Sequence, residues 1–151
     1  MAKTDLIGNA GVYWVVSQLS LRGLVALPTV RNCPGADIVV LDPDGGGLAT
    51  LQVKTSGGFA KFWPAAMPPE AWRRPSHAYV FVRTRTDGAF EAFLADAVSV
   101  AAAVFSAVER QRSRGRRDFP EFALPGSPAG SDVAGVEALR EAWAKWVPKA
   151  G

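Results

Sequence analysis

Apolar residues near the N-terminus recur at helical spacing. Within residues 8–22 they form one stripe, made of Val12, Val15, Val16 and Leu19, which is typical of a helix with a buried face. Gly23 follows as the expected helix stop. Residues 24–27 then favour a short strand that ends at Pro28. The start of the chain therefore predicts a helix followed by a strand.

Two apolar runs on either side of a glycine-rich turn predict a β-hairpin. The first run is residues 36–41 and the second is residues 48–55, and residues 42–47 between them are aspartate, proline and glycine. These residue types favour reversal of the chain. A polar loop over residues 29–35, which contains a proline, connects the hairpin to the preceding strand.

Residues 56–75 are rich in proline and aromatic residues. We expect a long excursion there, with at most one helical turn near residues 70–73. Trp63 and Trp72 lie within it, and both are expected to close the core, as large aromatic side chains commonly do. A segment of this length inside a compact domain is often functional.

Two strands and a helix are predicted after the excursion. The strands cover residues 78–84 and 89–94, and Asp96 is placed to cap a helix over residues 97–110. A linker rich in proline and glycine follows over residues 119–130.

The C-terminal segment predicts a last helix. Ser131 or Asp132 supplies its cap. Its apolar stripe consists of Val136, Leu139, Trp143 and Val147. The order of elements predicts an α/β (α+β) domain, with helices packed on a mostly antiparallel sheet. We expect one domain over residues 1–151, with a core over about 8–110, a basic run and linker over 110–130, and the C-terminal helix over 131–148.

Composition narrows the class of protein. A chain of 151 residues that is 48% hydrophobic and 21% charged is typical of a globular domain with one core. No apolar run approaches the roughly 20 residues of a spanning helix, and the polar start predicts no cleavable signal. We therefore expect no membrane partner. The single cysteine, Cys33, excludes an internal disulfide, and a reducing cytoplasm is the expected compartment. Cys33 is expected to be a small buried residue, and His77 to be structural.

Three residues of the predicted hairpin could bring chemistry to one point. Gln52 and Lys54 are two residues apart on one strand and share a face. A turn centred between residues 44 and 45 pairs Asp37 with Gln52, and directly opposed residues have Cβ atoms about 5 Å apart. This spacing fits an ordinary cross-strand charge pair. It also fits a site in which oxygen ligands hold Mg²⁺ or Mn²⁺ beside a lysine.

The hairpin resembles that of a known superfamily. The string PGADIVVLD, a glycine turn and LQVKTS are similar to the core hairpin of PD-(D/E)XK nucleases, in the branch with a Gln-x-Lys half-motif. The preceding GNAGVYWVVSQLSLRG is similar to the helix before that hairpin in small bacterial members. The resemblance covers residues 8–56 and implies a restriction-endonuclease-like core, in which helices flank a central mixed β-sheet.

The resemblance also implies roles for individual residues. Asp37 and the side-chain oxygen of Gln52 would be metal ligands, with the main-chain oxygen of Val53 nearby, and Lys54 would be the catalytic lysine. With Mg²⁺ or Mn²⁺ and no organic cofactor, such a site hydrolyses DNA phosphodiesters. The superfamily usually carries a glutamate on the first helix, where this sequence has Val12. Asp37 is therefore the only anion of the motif, which predicts an incomplete active site.

Basic residues give a second group of candidates, for contact with a nucleic-acid backbone. They are Lys61, Arg83, Arg85, Arg110, Arg112 and Arg114. The net charge of +3 permits such a partner, although solvated arginines at a helix end are an equally ordinary explanation.

Three functions stay open: a metal-dependent endonuclease, an inactive DNA-binding module, and a protein-interaction or assembly subunit. DNA is the expected partner and no small-molecule substrate is expected. Many nucleases of this kind act as dimers, so a homodimer also stays open.

Overall fold

A computed structural model describes residues 3–30, 35–126 and 132–148. In chain order its elements are α1 (Lys3–Leu21), β1 (Val25–Pro28), β2 (Ile38–Leu41), β3 (Ala49–Ser56), β4 (Phe62–Pro64), β5 (His77–Thr84), β6 (Phe90–Asp96), α2 (Ala97–Ser113), β7 (Glu121–Ala123) and α3 (Val133–Ala144). A single 3₁₀ turn (Glu70–Trp72) precedes β5. The architecture is α+β, as predicted.

The main sheet is mixed and has five strands in the order β1-β2-β3-β5-β6. Its neighbouring pairs are antiparallel, except that β3 and β5 run parallel. A parallel pair needs a long crossover, and the segment between Ser56 and His77 supplies it. β4 and β7 form a separate two-stranded sheet.

Alternation along β3 divides the interior into two clusters. Leu51 and Val53 point to the face that α1 covers, where they pack with Val15 and Leu19. On the opposite face α2 and the small sheet cover β5 and β6, and the buried residues there include Trp63, Phe81, Phe93 and Phe122. Gln52 and Lys54 belong to this second face, because side chains alternate along a strand.

The helix α3 packs against β6 and contributes to both clusters. Its Trp143 joins the cluster under α1, and its Val136 joins the cluster under α2. Asp132 caps this helix by accepting a hydrogen bond from the Gly135 N–H at 3.0 Å. Val147 lies beyond the end of α3 and is exposed, so its predicted place in the apolar stripe is wrong.

The small sheet was not predicted. β4 lies in the expected excursion and β7 lies in the expected linker. Both segments are held by buried aromatic side chains rather than by local strand patterns. The Trp63 indole donates to the Val82 carbonyl at 2.9 Å, and Phe122 stacks on Phe81 with ring centroids 4.0 Å apart. Trp63 is thus a core residue, as predicted.

The boundaries of the other helices also differ from prediction. α1 begins at Lys3, five residues before its predicted start, and α2 continues to Ser113 instead of ending at residue 110. Asp96 caps α2 as predicted, because its carboxylate accepts a hydrogen bond from the Ser99 N–H at 2.8 Å. None of the helices in the described ranges is long and apolar enough to cross a bilayer. Cys33 lies outside the described residues.

Candidate functional site

The hairpin register brings Asp37 beside Gln52. Ile38 faces Leu51 and Val39 faces Thr50, and this register agrees with the predicted pairing. β2 begins at Ile38, whereas β3 continues to Ser56. Just before the start of β2, the Asp37 carboxylate accepts a hydrogen bond from the Val53 N–H of β3 at 2.7 Å.

The same carboxylate oxygen, Oδ2, also accepts a hydrogen bond from the Gln52 side-chain amide. Lys54 lies close enough to act on Asp37 electrostatically, although no hydrogen bond or ion pair joins the two side chains. Burial raises the pKa of Asp37, and the Val53 N–H and the charge of Lys54 oppose that shift. The acid, the amide and the amine therefore converge, and the carboxylate is partly desolvated.

The side chains of Gln52 and Lys54 open into a cleft of about 290 Å³. Gln52, Lys54, Ala66, Met67, Pro69, Trp72 and Tyr79 line it. Tyr79 enters because β3 and β5 are parallel neighbours that place it beside Gln52. Burial, together with the negative charge of Asp37, raises the pKa of the Tyr79 phenol. The cleft thus has a polar side from the hairpin and an apolar side from the 66–72 segment.

Trp72 is fixed against the start of the hairpin. Gly35, two residues before Asp37, has a φ of 84°, and a Cβ added there would lie 2.1 Å from the Trp72 ring. A side chain at residue 35 would therefore meet both backbone strain and a clash. Trp72 is half-buried and lines the cleft, so its predicted role as a core residue holds only in part.

The His77 side chain contacts both β3 and the Trp72 ring. Its Nδ1 lies 2.6 Å from the Thr50 hydroxyl, and its ring centroid is 5.4 Å from that of Trp72. Burial lowers the pKa of His77, and the nearby charge of Arg74 lowers it further. The neutral, buried ring therefore agrees with its predicted structural role.

The residues around the hairpin offer few ligands for a divalent cation. Within the described ranges no three or more histidine, cysteine, aspartate or glutamate side chains gather into a metal-binding group. Asp37 supplies one carboxylate, whose Oδ2 already accepts two hydrogen bonds, and the Gln52 amide faces it with nitrogen rather than oxygen. Mg²⁺ takes oxygen ligands and usually needs one or two carboxylates plus water or phosphate. Val12 packs against the apolar cluster under α1 and adds no ligand.

One predicted nucleic-acid contact is corrected. Arg83 is only 4% exposed, and its guanidinium donates to Glu91 at 2.6 Å and to the Ala60 carbonyl at 2.7 Å. It also lies over the Phe59 ring, 3.8 Å from the centroid. Alternation along β5 turns this side chain onto the covered face. Arg83 therefore serves the interior rather than a surface for nucleic acid.

The other predicted cations are spread over the molecule, and none lines the cleft. Arg85 pairs with Asp87, and Arg112 forms a two-point contact with Asp118. The remaining three are Lys61 next to β4, Arg110 beside the cavity between α2 and β7, and Arg114 just after α2. A charge already paired with a carboxylate attracts a phosphate less strongly.

Two other arginines follow a cleft residue directly in the chain. Arg73 and Arg74 directly follow Trp72, and both are exposed. Arg73 bonds through Nε to the Pro68 carbonyl at 3.1 Å, and no ion pair among the described residues involves either arginine. Both arginines belong to the excursion over residues 56–75, whose proline and aromatic content indicates a functional segment in the sequence. Tyr79 had no such signal, because its place depends on the parallel pairing of two strands.

Comparisons with known proteins give no assignment. No protein-family model matches the chain, and no curated protein and no solved structure matches it either. The likeness to PD-(D/E)XK nucleases therefore stays a resemblance of the hairpin and the preceding helix.

Proposed function

We propose that this protein binds nucleic acid through the hairpin cleft, on a nuclease-like scaffold whose hydrolytic centre is incomplete. The observation that carries the proposal is the convergence of Asp37, Gln52 and Lys54, the last two of which line an open cleft. The register and the hydrogen bonds of Asp37 support it. The resemblance to PD-(D/E)XK nucleases indicates that the ligand is a nucleic acid.

Charge in and around the cleft favours an anionic ligand. Lys54 carries a positive charge at the cleft wall, and no salt bridge among the described residues neutralises it. Arg73 and Arg74 add exposed positive charge beside Trp72. Asp37 and the exposed Glu70 of the 3₁₀ turn supply two negative charges against the three positive charges of Lys54, Arg73 and Arg74. Phosphates are attracted to such a surface, and their binding releases counterions.

Hydrolysis is the less supported alternative. Metal-assisted cleavage depends on a cation that neutralises charge on the phosphate and activates a water. Asp37 is the one carboxylate of the hairpin motif, and the helix position that usually supplies another is Val12. We therefore expect binding without cleavage.

A salt titration of DNA binding tests the proposal. In EDTA the wild-type protein should bind a labelled oligonucleotide, with an affinity that falls steeply as salt rises. Lys54→Gln should weaken binding and reduce the slope of log K against log salt by about one, the effect of one lost phosphate contact. Lys145→Gln is the matched control, because that cation is exposed, paired with Glu141 and absent from the cleft.

The outcomes separate the three functions. Cleavage that requires Mg²⁺ and is lost in Lys54→Gln would restore the endonuclease and contradict the incomplete centre. No affinity for DNA or RNA at low salt, together with a stable protein partner, would favour an assembly subunit.

A further inference from the structure

The wall of the cleft that faces the hairpin carries an exposed aromatic surface held in place. Trp72 packs against Gly35 on the loop before Asp37 and against the His77 ring. The 3₁₀ turn is tied down by the bond from Arg73 to the Pro68 carbonyl. The indole is nevertheless partly exposed and lines the cleft. Such a preset ring can stack on a ligand at little cost in side-chain entropy.

The size of the cleft limits what can enter it. Its volume of about 290 Å³ is at the lower limit of pockets that hold drug-sized ligands, about 300 Å³. Ala66, Met67 and Pro69 make the wall around Trp72 apolar, and Tyr79 lines the cleft from β5. A flat aromatic ring suits a small apolar space with an indole at its side. A base pair within a duplex does not, because both faces of each base are already stacked.

The polar side of the cleft suits the rest of a nucleotide. The Gln52 amide nitrogen donates to Asp37, and its oxygen can accept a hydrogen bond from a base edge. Lys54 presents an ammonium group without a salt bridge among the described residues. A phosphate is covalently attached near every base, so both groups can be engaged at once. Arg73 and Arg74 follow Trp72 and continue the positive charge outside the cleft.

We propose that the cleft takes one unpaired base of a single-stranded nucleic acid, stacked on Trp72, with the neighbouring phosphate at Lys54. This inference rests on the proposed function, since it names the form of nucleic acid that the same site binds. The protein would then prefer single strands to duplexes. Base–aromatic stacking is tolerant of sequence, so little base specificity is expected.

Anisotropy titrations in EDTA test the preference. The probes are a short 5′-labelled oligothymidylate strand and the same strand annealed to oligoadenylate. Wild-type protein should bind the single strand at least tenfold more tightly than the duplex. Trp72→Leu should weaken single-strand binding by about 5- to 150-fold, the range for one stacked base, whereas Trp72→Phe should retain most of the affinity.

Two further variants keep the test decisive. Tyr13→Leu is the control, because Tyr13 is a 65% exposed aromatic residue on α1, and its affinity should equal that of wild type. Met67 is 39% exposed, so Met67→Glu should fold and should repel the strand from the cleft even where Trp72→Leu does not fold.

Equal affinity for single strand and duplex would overturn this inference and leave the proposed function standing. Unchanged affinity in a folded Trp72→Leu or Met67→Glu protein would do the same. Absence of binding to both probes would overturn the inference and the proposed function together.

Discussion

At the scale of single residues, Asp37 places a carboxyl group where the fold disfavours ionisation. Burial raises the pKa of Asp37 despite the Val53 N–H and the charge of Lys54. A raised pKa means that the charged carboxylate is less stable in the folded protein than in the unfolded chain. The charge thus costs stability at neutral pH. A partly buried carboxyl group with a raised pKa is a candidate for a role in a functional site rather than in stabilising the fold.

Replacing Asp37 with asparagine should stabilise the protein. The new amide keeps an oxygen for the Val53 N–H and removes the desolvated charge. The penalty for Asp37 grows as the pH rises above its unfolded pKa, so the melting temperature of Asp37→Asn should exceed that of wild type at pH 7. Below the unfolded pKa of about 3.9 the carboxyl is neutral in both states, and the advantage should disappear. Thermal melts across this pH range measure the effect.

Asp37→Ala is the matched control. It removes the acceptor as well as the charge, so it leaves the Val53 N–H and the Gln52 amide without that acceptor. An unsatisfied buried group costs about 1–3 kcal/mol, and the alanine variant should be less stable than the asparagine variant by that amount. A melting temperature of Asp37→Asn below that of wild type at pH 7 would show that the charge stabilises the fold.

At the scale of elements, the close approach of α1 to β3 aligns the helix with the hairpin. A Cβ added to Gly11 would lie 1.8 Å from the Thr55 hydroxyl oxygen. The backbone of α1 therefore lies directly against the side chain of Thr55, which follows Lys54 on β3. Gly8, one turn earlier, has no atom within 4 Å of an added Cβ. The two glycines of α1 thus have different physical reasons to be there.

Alanine at these two positions should have opposite effects. Gly11→Ala should destabilise the protein by about 1–3 kcal/mol, as overpacking does, because α1 must move away from Thr55. Gly8→Ala should stabilise it by about 0.5–1 kcal/mol, because glycine inside a helix is unfavourable. Chemical denaturation of both variants measures the two changes. Similar stability for the two variants would contradict the close helix–strand approach.

Local patterns predicted the elements that have local causes. The helical stripe of α1, the Asp-Pro-Asp-Gly turn and the Asp96 cap depend on neighbours in the sequence. The pairing of Asp37 with Gln52 also followed, because a short turn fixes the register of a hairpin. The small sheet did not follow, since β4 and β7 are far apart in the chain and are held by Trp63 and Phe122.

The difference between local and long-range causes also explains which residues of the site the sequence predicts. The hairpin residues could be predicted from one turn. Tyr79 and Trp72 join them only through the parallel pairing of β3 and β5 and the path of the crossover. Arg83 was assigned to the surface because alternation alone cannot tell which face of a strand is covered.

At the scale of the whole molecule, the covered and uncovered parts of the sheet decide where a ligand can approach. α3 covers the β6 edge, and β1 lies at the other edge of the sheet. Around β1 several large apolar side chains are exposed: Leu21, Val25, Leu27 and Val30. The uncharged edge of β1 could pair with a second copy of the chain, and a homodimer stays a prediction. The cleft lies away from this edge, on β3 and β5.

The most direct measurement is an NMR titration of the labelled protein with oligothymidylate in EDTA, followed through the backbone amides. The proposed binding site predicts that the amides of Gln52, Lys54 and Trp72 shift first and most, without any divalent cation. Shifts confined to the arginines at the end of α2, or no shifts at all, would contradict binding at the hairpin cleft.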